Sequence, residues 1–135
     1  MKFSFIITLV FFLTQFVGIS QLGKDGDVTI AAPSIVNEYT YLTSDATAST
    51  TTLSVNSSTL NDNGRFSNSL QGGDLILIIQ HQGATLNTNG TPQDWGSIVN
   101  YNNAGNYEYC EVSNVPNSNS IQLRCGLTKS YTSSG

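Results

Sequence analysis

The sequence predicts an all-β domain, either a small antiparallel barrel or a sandwich. Three observations predict it. Residues 34–44, "SIVNEYTYLTS", alternate, with Ile35, Asn37, Tyr39 and Tyr41 on one side and Val36, Glu38, Thr40 and Leu42 on the other. Residues 75–80, "LILIIQ", form an unbroken apolar run behind the turn residues Gly72-Gly73-Asp74. Residues 107–127, "YEYCEVSNVPNSNSIQLRCGL", read as two strands around a polar turn. No internal repeat or helical heptad competes with this reading.

The elements follow in chain order. Residues 1–20 have the layout of a secretory signal peptide: Lys2, the apolar core "FIITLVFFLTQFV", and small residues Gly18 and Ser20 before a cut at Gln21. A membrane anchor needs ~20 apolar residues. This run is shorter and is broken by Thr14 and Gln15. Membrane contact is therefore expected only through the cleaved leader, and the location is expected to be extracellular or at the cell surface. Residues 21–33 form an extended lead-in, and 34–135 form the β domain. Its 34–44 strand is followed by a second over 49–57, with Leu53 and Val55 on one side. A turn-rich loop over 58–74 centres on Asn63-Gly64 and Gly72-Gly73-Asp74, with Leu60, Phe66 and Leu70 pinning it to the core. The 75–80 run lacks alternation, so it is expected to be a central strand buried on both faces. Residues 81–106 are a long polar excursion carrying Trp95 and Tyr101.

In the closing hairpin, a turn at Asn117-Ser118 sets Cys110 against Cys125, Glu111 against Arg124, Val112 against Leu123 and Asn114 against Ile121. That register puts the thiols and apolar residues on one face and pairs the charges on the other. An oxidising compartment permits a disulfide between Cys110 and Cys125; two buried thiols are the alternative.

Composition excludes several functions. The net charge is −4, or −5 once Lys2 is removed with the leader, and only 10% of residues are charged. No basic patch is present, so nucleic acid is not an expected partner. Two cysteines fifteen residues apart and one histidine make no zinc site, and "NDNGRF" fails the EF-hand spacing. No metal or cofactor is expected. His81, the sole histidine, has no acid, nucleophile or metal motif around it. It reads as the boundary between a strand and a loop, and no catalytic residue can be assigned. Trp95 and Tyr101 are the candidate ligand-binding residues, because apolar sugar faces stack on aromatic rings while nearby amides bond hydroxyls. The competing reading packs Trp95 onto the core and the tyrosines into strand faces.

Three stretches carry a resemblance: "VNEYTYLTSDATASTTTLSV" (36–55), "GGDLILIIQHQGA" (72–84) and "NYNNAGNYEYCEVSNVPNSNSIQLRCGLTKSYTSSG" (100–135). Together the chain resembles the N-terminal module of large secreted, adhesin-like surface proteins of Bacteroidetes, exported by type IX secretion. The resemblance implies a non-catalytic module with a structural or interaction role. A surface glycan or a protein is the implied partner. A carbohydrate-binding module using Trp95 and Tyr101 is the alternative, and a glycan hydrolase through Glu108 or Glu111 is the remote one. In that family the His81 position is often apolar, and further strands and repeat regions follow. The stretch is accordingly expected to be the first part of a longer protein.

Overall fold

The computed structural model of the chain describes residues 29–134. The expected leader and most of the lead-in lie outside the described residues. Six strands form, all in antiparallel ladders: β1 Thr52–Ser54, β2 Leu75–Ile79, β3 Thr85–Leu86, β4 Ile98–Asn100, β5 Tyr107–Asn117 and β6 Ser120–Leu123. One sheet has the order β1-β6-β5-β2, and β3 and β4 form a separate pair. The architecture is all-β, with no helix among the described residues, and is consistent with a small sandwich. The barrel alternative is not realised, because β1 and β2 stand at opposite ends of the sheet and do not pair.

The inner face of the larger sheet is built by cross-strand pairs. Leu53 lies opposite Ile121, Leu123 opposite Val112, and Cys110 opposite Ile76. Ile78 extends the row, and Ala46, Leu127 and Tyr131 cover it from loops. Val112 is fully buried and Ile121 nearly so. No second sheet supplies the cover. Two irregular segments do: Ala46 and Tyr131 exchange backbone bonds of 2.9 and 2.8 Å, and Ser49 N donates to Leu127 O at 2.7 Å. Gly126 permits that approach, since a Cβ there would lie 2.7 Å from the Ser49 carbonyl oxygen.

β2 forms where the apolar run predicts it, but it is not central. It is the end strand of the sheet. Ile76 and Ile78 point into the core, while Leu75, Leu77 and Ile79 are exposed. The run lacks alternation because both sides are apolar, not because both sides are covered. The turn before β2 is as expected, with Gly73 at φ 91°, a conformation open to glycine.

The 34–44 strand is corrected as well. Only an isolated bridge between Leu42 and Val55 forms there. Two backbone bonds flank that bridge, Thr43 N to Ser54 O at 2.9 Å and Asn56 N to Tyr41 O at 3.0 Å, and side chains hold the earlier part: Glu38 accepts from Asn63 and pairs with Arg65, whose Nη1 donates to Ile35 O at 2.8 Å. In the turn-rich loop, Leu60 and Leu70 pack on the core, whereas Phe66 stays exposed.

The β5–β6 hairpin keeps the expected pairing at its base. Glu111 Oε1 accepts from Arg124 Nη1 at 2.6 Å, and Val112 faces Leu123. Two irregularities on β5 then shift the register, so Asn114 meets Gln122 rather than Ile121, and the turn is Ser118-Asn119. Each shift adds a residue to β5, the mark of a β-bulge.

Truncating a side chain in a packed core costs both its transfer energy and a cavity. Ile121→Ala should destabilise the domain by about 2–5 kcal/mol in denaturant titration. Ile78→Asp should abolish cooperative unfolding, while Val99→Thr, on exposed β4, should change stability by less than about 0.5 kcal/mol.

Candidate functional site

Past β2 the chain leaves the sheet through Gln80, one of two buried polar residues among those described. Its amide is fully used. Nε2 donates to Gln82 O, Asn102 O and Thr132 Oγ1, at 3.2, 3.3 and 2.6 Å, and Oε1 accepts from Thr132 N at 2.9 Å. Its backbone is bonded through both of its groups, with Gln80 N donating to Asn106 O at 2.9 Å and Gly105 N donating to Gln80 O at 2.7 Å. One side chain thus joins the exit of β2, the loop before β5 and the C-terminal segment.

These three segments border an open cleft of about 700 Å³, lined by Gly83, Asn100, Tyr101, Asn102, Asn106 and Thr132 among others. Asn102 and Asn103 sit at φ 46° and 70°, in the left-handed region that asparagine tolerates better than most residues. The Asn102 amide donates to Gly83 O and Thr85 Oγ1, and the Asn106 amide donates to Ser130 O. Tyr101 lines the cleft and is 63% exposed. An exposed ring beside amides and hydroxyls can take a polar ligand that has an apolar face.

Trp95 is elsewhere. It sits in the turn joining β3 to β4, where its N–H donates to Thr91 O at 2.9 Å, and it is 66% exposed. It does not pack onto the core, and it does not line the cleft with Tyr101. The β3–β4 hairpin was not foreseen within the polar excursion, because its strands are only two and three residues long.

A second surface lies on the outer side of β2 and β5. The pairs Leu77–Tyr109 and Ile79–Tyr107, with Leu75 beyond them, form one exposed apolar face. Lys129 Nζ stands 5.0 Å from the Tyr107 ring and donates to Tyr107 O. The Glu111–Arg124 pair borders the opposite corner.

The carboxylates are occupied structurally. Glu108 accepts from Thr128 N, Thr128 Oγ1, Lys129 N and Tyr131 Oη, all at 2.9–3.1 Å. Burial pushes the Glu108 carboxyl up, but these four bonds outweigh it and hold it below its ordinary 4.5. Burial, with Glu108 beside it, pushes the Tyr131 hydroxyl well above its ordinary value. Asp45 is held low by the backbone and hydroxyl of Ser133. His81 is exposed just beyond Gln80, at the strand–loop boundary. Among the described residues, no three of His, Cys, Asp and Glu gather as a metal site.

Cys110 and Cys125 are free thiols in this structure, the first buried and the second exposed. The expected bridge is not formed. β6 ends at Leu123, and the chain swings at Gly126 toward Ser49, so Cys125 has left the ladder that aligned it with Cys110. Burial, then Glu108 and Cys125, push the Cys110 thiol up.

A search of family models, curated proteins and solved structures found no match to this chain.

Because the folded pKa of Glu108 lies below its unfolded value, its contribution is present above about pH 4.5 and is lost as the pH falls through the folded value. The thermal midpoint should drop on acidification below that pH. Glu108→Gln should cost about 1.5–3 kcal/mol at pH 7, the scale for bonds to a charged group. It should also flatten the acid limb, leaving the slope that Asp45 contributes. Thiol titration of the unreduced protein should find one fast-reacting group, Cys125, and a second, Cys110, reactive only on unfolding.

Proposed function

We propose that this chain is a non-catalytic, exported β module of an adhesin-like secreted or cell-surface protein, with an interaction role. The observation that carries this reading is the exposed apolar face of Leu75, Leu77, Ile79, Tyr107 and Tyr109. Contiguous apolar surface of that kind on a folded domain marks a contact site. The commitment of Glu108 and Glu111 to structural bonds supports the non-catalytic part, since neither carboxylate is left poised to move a proton for a substrate. Export and the adhesin-like setting rest on the leader pattern and on the family resemblance.

A second reading is a carbohydrate-binding module. Tyr101, exposed in a cleft lined by asparagines, favours it. Trp95 lies outside that cleft, so Tyr101 would be the main stacking ring and Trp95 a separate contact.

A glycan array probed with the wild type, Tyr101→Ala and Trp95→Ala separates the two. The leading reading expects no glycan whose capture depends on either ring. Binding lost at least ~10-fold in Tyr101→Ala, the ~1–3 kcal/mol scale of one ring stacked on a ligand, would replace it with the second.

A further inference from the structure

We infer that the outer face of β2 and β5 is a self-association surface, covered by the same face of a second copy of this chain. The inference rests on the interaction role proposed above and names its partner. The face has three parts: a row of Leu75, Leu77 and Ile79 on β2, the rings of Tyr107 and Tyr109 beside it on β5, and charged groups only at its corners. The five residues are between 48% and 65% exposed. Together they leave on the order of 600 Å² of mainly apolar surface uncovered, the upper end for a monomer's largest patch. A standard interface takes about 800 Å² from each partner. These residues and a narrow rim supply that area.

The chemistry narrows the occupant. The central aliphatic row offers no group to bond sugar hydroxyls. The chain carries −4 overall, so an anionic membrane surface is disfavoured. At the corners, Arg124 is neutralised by Glu111, and Lys129 is engaged with Tyr107. Glu111, which β5 places opposite Leu75, is paired with Arg124. Lys129 keeps its charge at a corner, over the Tyr107 ring, so an isologous contact brings like charges together at its rim and not at its aliphatic centre. Two such faces packed about 10 Å apart would form a sheet-on-sheet layer.

β2 also lacks the devices that keep sheet edges apart. It has no lysine, proline or bulge, and its ladder to β5 runs without a register shift. Face packing covers its apolar side chains. Because both copies are acidic, added salt screens their repulsion and strengthens the contact.

Sedimentation velocity on the wild type, Leu77→Lys and Tyr101→Ala tests this. The wild type should pass from monomer to dimer within roughly 1–100 μM, and at lower concentration in higher salt. Leu77→Lys places a charge at the centre of each face and should raise the dissociation constant at least ~100-fold. Tyr101→Ala should dimerise as the wild type does. Leu77 is exposed, so the variant should keep the wild-type circular dichroism; if it does not, Tyr109→Ser gives the same readout without touching β2. A wild type that stays monomeric to about 0.5 mM, or a dimer indifferent to Leu77→Lys and to Tyr109→Ser, overturns the inference. A monomer that captures a different protein through Leu77 also overturns self-association but keeps the interaction role. Glycan capture through Tyr101 would instead remove that role, so the two failures are distinguishable.

Discussion

The fold depends on the Glu108 carboxylate. A four-stranded sheet with an apolar face needs a cover, and the usual cover is a second sheet or a helix. Here the cover is irregular chain, which must be fixed at an entropic cost of about 1–2 kcal/mol per residue. Glu108 ends the inner-face row that runs through Cys110 and Val112 on β5. From there it collects Thr128, Lys129 and Tyr131 at once. The segment is thereby laid across the sheet, Tyr131 becomes one of the largest fully buried side chains, and Ala46 is drawn in by the backbone bridge. A carboxylate in this position is costly if left bare. Four donors make it an anchor, and the lowered pKa records the balance.

Gln80 repeats the device one strand away. It ends the inner row of Ile76 and Ile78 on β2, and its amide joins the same C-terminal segment through Thr132. The two polar side chains stand at one end of adjacent strands and tie one stretch, residues 128–132. The walls of the Tyr101 cleft are fixed by the Gln80 side of this arrangement, since Asn102, Asn106 and Thr132 all bond to Gln80. Cleft and core therefore share a support.

Much of this was legible in the sequence. The existence of β1, β2, β5 and β6, the Gly73 turn and the Glu111–Arg124 pair all follow from local patterns. Those patterns specify which residues share a side, and they specify nothing about what lies on that side. The apolar run at 75–79 has two apolar sides whether the strand is central or terminal, so its burial was misjudged. Residues 34–44 alternate as a strand would, yet only the Leu42–Val55 bridge with its flanking backbone bonds forms, and Glu38 with Arg65 and Asn63 holds the earlier part. Glu108 and Gln80 read as ordinary polar positions because their partners lie 20 to 52 residues away. The exposure of Trp95 was equally hidden, since a tryptophan in a polar loop has the same sequence signature packed or bare.

The position of β2 connects the missed burial to the proposed interaction role. If Leu75, Leu77 and Ile79 served only stability, threonine would give up little of it in a lone chain, because about half of each residue stays exposed. A sequence that alternated polar and apolar residues at 75–79 would fold the same sheet with a solvated outer side. The chain instead places aliphatic residues at all three outer positions and tyrosines opposite two of them. Large exposed aliphatic side chains side by side are an aggregation liability that sheet proteins usually avoid at an edge. A contact that covers them turns that liability into a defined surface.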